Sequence, residues 1–148
     1  MKINILSLGK FKLNQDYRKI FEYYRKRIRV KTSLIEIKTY STVNKISLEK
    51  KEILKHIKNN DSVVALNESG ENISSLDFAK LIKNKLDSGC KNLNFIIGSE
   101  IGLDKYFAKS YRNISMGKQT WPHLLVRVML IEQIYRSFEI IKNSQYHK

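Results

Sequence analysis

Five short runs of branched and apolar residues recur along this chain, each separated from the next by a stretch with helical spacing. They are INILSLG (Ile3–Gly9), LIEIKTY (Leu34–Tyr40), SVVALNE (Ser62–Glu68), LNFIIG (Leu93–Gly98) and RNISMG (Arg112–Gly117). Runs of this length and composition read as strands, and the central three end at glycine or polar residues. Strands that alternate with helices are joined by crossovers. That pattern predicts an α/β fold with a largely parallel sheet and helices on both faces. It also directs attention to the carboxyl ends of the strands, where such sheets bind ligands.

The helical stretches carry their own punctuation. Asn14 or Asp16 is suited to cap a helix that places Ile20, Tyr23 and Tyr24 on one face. Ser47 is expected to open SLEKKEILKHIKNN, and Ser74 or Ser75 to open LDFAKLIKNKLDSG, which closes at Gly89. The single proline, Pro122, follows GKQTW and precedes a long apolar segment. Proline is pre-organised for a first helical turn, with Thr120 as the cap before it. The segment carries Leu124, Val128, Ile131, Tyr135 and Phe138 on one stripe, widened by Leu125, Leu130, Ile134 and Ile141. An arc this broad exceeds what one sheet face normally needs, and it predicts packing on a second copy of the chain.

A chain of 148 residues, 42% hydrophobic, is expected to fold as one domain over residues 1–148. No apolar run is long enough to span a bilayer. The start, MKINILSLGKF, reads as a first strand and not as a signal peptide. Cys90 is alone, which excludes a disulfide framework and a cysteine-based metal cluster, and fits a reducing cytoplasm. Charge is more informative. Lys and Arg number 28 against 14 Asp and Glu, a net charge of +14 concentrated in the first 60 residues. Its densest patch, YRKRIRVK, includes Arg25, Lys26, Arg27 and Arg29. Such a face favours a polyanion, because neutralising phosphates releases counterions. Nucleic acid fits better than an anionic membrane, for which the basic helix lacks a Trp- and Phe-rich apolar side.

Three strand ends are chemically suggestive: LNESGENIS after the third run, GSEIGL after the fourth and GKQTWPH after the fifth. Their glycines allow backbone to approach a ligand closely. None is a P-loop or a dinucleotide fingerprint, and the chain has no HExxH, CxxC or GxSxG. Metal and acyl-enzyme chemistry are therefore not expected. His56 reads as helix surface. His123, at a helix start beside a glycine-containing loop, can face a ligand. The macrodipole there disfavours its charged form. Glu132 and Arg136 are spaced as a helical ion pair, and the fork of the arginine suits phosphate.

The segment ISMGKQTWPHLLVRVMLIEQIYRSFEIIKNSQYHK strongly resembles the C-terminal signature of the RlmH family, bacterial ribosomal large-subunit pseudouridine methyltransferases of the SPOUT class. The specific parts are TWPHLLVRVMLIEQIYR and the terminal YHK. NFIIGSEIGL resembles the family's Ile-Gly-Gly loop, VVALNESG its central strand end, and MKINILSLGK its start, so the likeness covers essentially the whole chain. It implies a C-terminal trefoil knot, a feature no periodicity argument yields, since knots are rare. It implies S-adenosyl-L-methionine held by Leu66, Gly98 and the run Gly117, Lys118, Gln119, Thr120, Trp121 and Pro122. It implies a homodimer, and a 23S rRNA substrate in the large subunit or whole ribosome, methylated at N3 of a pseudouridine. The chain departs from the family at Ser99, where a second glycine is usual, and Trp121 stands where smaller residues are common.

On that resemblance, His147 and His123 are the two candidates to take the N3 proton. Arg136 and Lys148 are suited to hold phosphates or polarise the uracil carbonyls, and Tyr146 to stack on the extruded base. Tyr146, His147 and Lys148 would complete a target-base site, in their own chain or in a partner. Two other readings fit the composition: a non-catalytic basic α/β protein that binds ribosomal RNA, and a nucleotide-binding α/β protein, which the missing phosphate loop disfavours.

Overall fold

A computed structural model describes residues 1–11 and 15–147. Five strands, β1 (Lys2–Leu8), β2 (Thr32–Ile37), β3 (Ser62–Asn72), β4 (Asn92–Ile97) and β5 (Arg112–Ser115), form one sheet in the order β2-β1-β4-β3-β5. Every pairing is parallel, and Ile5 sits in register with Leu34 on one side and Phe95 on the other. The helices are α1 (Gln15–Arg25), α2 (Lys45–Leu54), α3 (Ser75–Asp87), α4 (Lys105–Lys109) and α5 (His123–Ile141).

Alternation along the strands gives the sheet two apolar faces. Ile3, Ile5, Val64, Leu66, Leu93, Phe95 and Ile97 pack against α1, α3 and α5 through Phe21, Phe78, Ile82, Val128, Ile131 and Ile134. Leu6, Leu8, Ile37 and Ile96 face the other way, under Ile53 of α2 and Phe107 of α4. Helices therefore cover both faces, as the alternation predicts.

Local signals are kept in part. Ser74 caps α3, its hydroxyl accepting from the Asp77 amide at 3.1 Å, and Gly89 follows the helix end with φ +70°. Asp16 lies in the first turn of α1, whereas Asn14 falls outside the described residues. Ser47 does not open α2. The helix starts two residues earlier, after Asn44, whose side chain makes no capping bond. Thr120 does not cap α5, and Pro122 occupies the cap position itself. Its carbonyl accepts from the Leu125 and Val126 amides.

The second strand stops at Ile37 and not at Tyr40, because β1 turns away at Gly9, whose amide makes the last bond to Ile37. β3 runs on through Asn72. Leu66 and Glu71 both stand opposite Ile114, so the polar residues between them are accommodated as an irregularity and the strand resumes. The short α4 has no apolar signature. Asp104 starts it by accepting from the Phe107 amide at 2.7 Å.

The breadth of the apolar arc on α5 has a cause within one chain. No residue from His123 to Ile141 is exposed. The helix lies on the sheet between α1 and α3, with Tyr135 packed at a tilt against Tyr24 and Gln133 accepting from Ser75 at 2.7 Å. Arc width by itself does not call for a second copy. If α5 anchors the core, Ile134→Ala should cost about 2–5 kcal/mol in chemical denaturation. A loss under about 1 kcal/mol would show that the helix packs loosely.

Candidate active site

The irregular middle of β3, at Leu66–Ser69, and the carboxyl ends of β4 and β5 open onto a cavity of about 1010 Å³. Of the predicted cofactor residues, Leu66, Gly98, Gly117, Gln119, Thr120, Trp121 and Pro122 line it. Lys118 belongs to the same loop, but its side chain is exposed and it is not among the lining residues. Three separate parts of the chain thus meet at one place because parallel strands deliver their ends to one edge.

Two glycines shape the opening. At Gly98 a Cβ would lie 2.7 Å from the Gly102 backbone, so no side chain fits there. Gly117 has φ +122°, a conformation open to glycine but strained for other residues. Ser99, the departure from the family pattern, does not crowd the loop. Its hydroxyl donates to the buried Glu49 carboxylate at 3.1 Å.

His123 also lines the cavity. Its imidazole is held below the ordinary histidine value, first by burial and next by the positive charge of Arg127, with Lys45 adding slightly. Glu100 acts in the opposite sense. The neutral ring is therefore favoured, in a form able to accept a proton.

Arg127, one turn along α5, is a residue that sequence reasoning missed. It is fully buried. Its Nη2 donates to the Leu8 carbonyl at 2.8 Å, its Nη1 to Glu36 at 3.3 Å, and its guanidinium lies over Phe11 at 4.8 Å. Glu36 also accepts from the Phe11 amide at 2.7 Å. The one available signal was a charged residue inside the apolar run LLVRVML.

The other predicted catalytic residues gather elsewhere. Arg136 donates twice to Glu132, at 3.0 and 2.7 Å. The tail folds back along α5, so that the Tyr146 hydroxyl donates to the same carboxylate at 3.1 Å. The Tyr146 ring meets Tyr135 edge-on at 4.9 Å and lies under the Arg136 guanidinium. Burial, then Tyr24 and Glu132, push the Tyr146 hydroxyl well above the usual phenol range. His147 has a buried Nδ1 with no hydrogen-bond partner among the described residues, and Lys148 lies outside them. Glu132 borders a second cavity of about 430 Å³, and the segment Ser115–Gly117 walls both.

The basic patch on and after α1 is partly self-satisfied. Arg25 pairs with Glu22 at 2.6 Å. Arg27 lies 3.4 Å over the exposed Tyr23 ring, and Lys26 and Arg29 are exposed. Among the described residues no cluster of His, Cys, Asp or Glu could hold a metal ion, and no helix is long and apolar enough to cross a membrane.

Comparison with known proteins gives a concordant picture. The family model described as "Predicted SPOUT methyltransferase" matches residues 1–147. The ribosomal RNA large subunit methyltransferase H of Mycoplasmopsis synoviae (strain 53) is 44% identical, with 100% of both chains covered. The protein of that name from Clostridium botulinum (strain Loch Maree / Type A3) is 36% identical, again over 100% of both. Among solved structures, a probable methylase family protein from Haemophilus influenzae Rd KW20 superposes with a TM-score of 0.58. It is 11% identical, covering 99% of this chain and 70% of that one. TrmJ from Z. mobilis ZM4 gives 0.57 at 7% identity, with the same coverage. These two likenesses concern the fold.

His123 supplies a test of the cavity's electrostatics. Because its folded value is lowered, the unfolded chain binds the proton first as the pH falls. Stability is therefore expected to be lost as the pH drops through the ordinary histidine value of 6.5. Denaturation midpoints between pH 8 and about pH 5 should fall less for His123→Gln than for the parent. Equal slopes would mean that the ring is not held neutral.

Proposed function

Because the chain belongs to the SPOUT methyltransferase family, we propose that it transfers a methyl group from S-adenosyl-L-methionine to ribosomal RNA of the large subunit. The acceptor in this reading is N3 of a pseudouridine in 23S rRNA, carried on the large subunit or whole ribosome in the cytoplasm. The observation that carries it is the cavity at the strand ends, walled by Leu66, Gly98 and the Gly117–Pro122 loop, with a neutral imidazole at its edge. The names of the relatives support the substrate class.

The residues present fit the cofactor. At about 1010 Å³ the cavity is at the large end of small-molecule sites, with room for a nucleoside-sized ligand and part of an acceptor. Leu66, Ile97 and Val126 offer apolar wall, Gln119 and Thr120 offer polar groups, and Gly98 and Gly117 leave the backbone open to close approach. The C-terminal trefoil knot of the family is part of this reading. S-adenosyl-L-methionine, when bound, supplies a methyl group activated by a positively charged sulfur.

The work left to the chain is mostly positioning, since charge disperses in such a displacement. The N3 proton must leave, and His123 is suited to accept it from within the cavity. His147 is the alternative acceptor, with a buried Nδ1 that has no partner among the described residues. Tyr146 is proposed to stack on the extruded base and Lys148 to hold phosphate, with Arg136 contributing less because Glu132 already takes its Nε and Nη2. Lys26, Arg27 and Arg29 are proposed to grip RNA backbone outside the pocket, with Arg25 contributing less because Glu22 already occupies its fork.

We also propose a homodimer. Ile20, which lines the second cavity, and Leu76 on α3 are exposed apolar side chains, and Trp121 is exposed in the loop that lines the first cavity. In such a dimer Tyr146, His147 and Lys148 are proposed to complete a target-base site, in their own chain or in the partner.

Calorimetry with S-adenosyl-L-methionine tests the reading. The parent should show about one site per chain, and Gly117→Val should lose most of the heat, since valine resists that backbone conformation. Absence of binding in the parent would overturn the enzyme reading and leave a basic module that binds ribosomal RNA.

A further inference from the structure

The loop that follows β4 forms one wall of the cavity, and it is held from α2. The loop closes on itself through the Gly102 amide, which donates to the Ser99 carbonyl at 2.9 Å. Three side chains of α2 reach it. Lys45 pairs with Glu100, Lys50 with Asp104 at 3.5 Å, and Glu49 accepts from the Ser99 hydroxyl at 3.1 Å. Residues 45 and 49 lie one turn apart on the same face of the helix, and Lys50 sits about 100° further round.

The three are not equal. Glu100 is well exposed, and ion pairs that reach solvent contribute little. Glu49 is 2% exposed and Ser99 7%. A buried carboxylate is costly unless its oxygens are satisfied. One Glu49 oxygen takes the Ser99 hydroxyl, and the other takes the Tyr40 amide at 3.4 Å. Glu49 thus ties the end of the β2 connection to the loop after β4. Without the Ser99 hydroxyl, that buried oxygen would lose its hydrogen bond, leaving the nearby Lys45 charge to answer it.

We propose that Glu49 is a positioning residue for the cofactor-facing loop, acting through the Ser99 hydroxyl. Serine at this place is then a required donor and not a neutral replacement for glycine. This rests on the reading that the cavity takes S-adenosyl-L-methionine. Glu49 touches no reacting atom. Its effect is to fix where Gly98 and the loop stand, and so the shape of the cavity wall.

The test uses the full chain as the parent, Ser99→Ala, Glu49→Met, their double variant and Glu49→Gln. Calorimetry with S-adenosyl-L-methionine should show roughly tenfold weaker binding in each of the first two. The double variant should be no weaker than the worse single, because both remove one contact. Glu49→Gln retains an acceptor and should keep most of the affinity. In steady-state methylation the loss should fall on KM for the cofactor and not on kcat. Amide hydrogen exchange at Glu100–Gly102, measured without cofactor, should be faster in Ser99→Ala and Glu49→Met than in the parent. If Glu49→Met does not fold, Ser99→Ala decides through the same affinity and exchange readouts. Parent-like binding and exchange in Ser99→Ala, or additive losses in the double variant, would overturn the proposal. If the parent itself binds no cofactor, the reading of the cavity falls, while exchange still supports or overturns the tether between Glu49 and Ser99.

Discussion

A guanidinium shut away from solvent ties the end of this chain to its beginning. Arg127 sits in the first turns of α5 and donates to the Leu8 carbonyl, at the point where β1 runs out. Its charge is answered by Glu36 at the end of β2. Removing Glu36 would leave the buried Arg127 charge without its carboxylate, whereas Glu36 is itself partly exposed and also accepts from the Phe11 amide. The consequence reaches the cavity. With Arg127 fixed, His123 one turn earlier is held beside Gly9, and Gly117–Pro122 must cross the carboxyl ends of β3 and β4 to reach it. The same positive charge helps to keep His123 neutral.

The catalytic candidates fall into two groups around the Ser115–Gly117 segment. His123 and the glycine loops lie on one side. Glu132, with Arg136 and Tyr146 attached to it, lies along the other. This division makes sense of the tail. Chain ends ordinarily fray, but here Tyr146 packs on Tyr135 and binds Glu132. The tail therefore lies against α5 through its tyrosine.

Much of the architecture was legible in the sequence because it depends on local pattern. The alternation of short β-branched runs with helical spacing foretold a parallel sheet covered on both faces, and Ser74 and Gly89 marked the ends of α3. What stayed hidden depends on partners far along the chain. β3 continues through polar SGEN only because β5 lies beside it. Thr120 looked like a cap, yet the backbone of Pro122 starts α5. Arg127 carries no local mark of its partners, since Leu8 and Glu36 reach it only in the fold. Ser99 looked like a departure from a glycine pattern until Glu49 was seen to receive its hydroxyl. The cofactor loops were named from a family likeness. Spacing alone could not have joined Leu66, Gly98 and Gly117, which meet only once the sheet is ordered β4-β3-β5.

The central claim is that this cavity and its basic surroundings serve methyl transfer to one nucleotide of large-subunit RNA. Its most direct test is mass mapping of 23S rRNA after ribosomes lacking the modification are incubated with the protein and S-adenosyl-L-methionine. A single added methyl on one pseudouridine is expected, absent when either protein or cofactor is omitted. No added methyl, or methylation scattered over ordinary uridines, would contradict it.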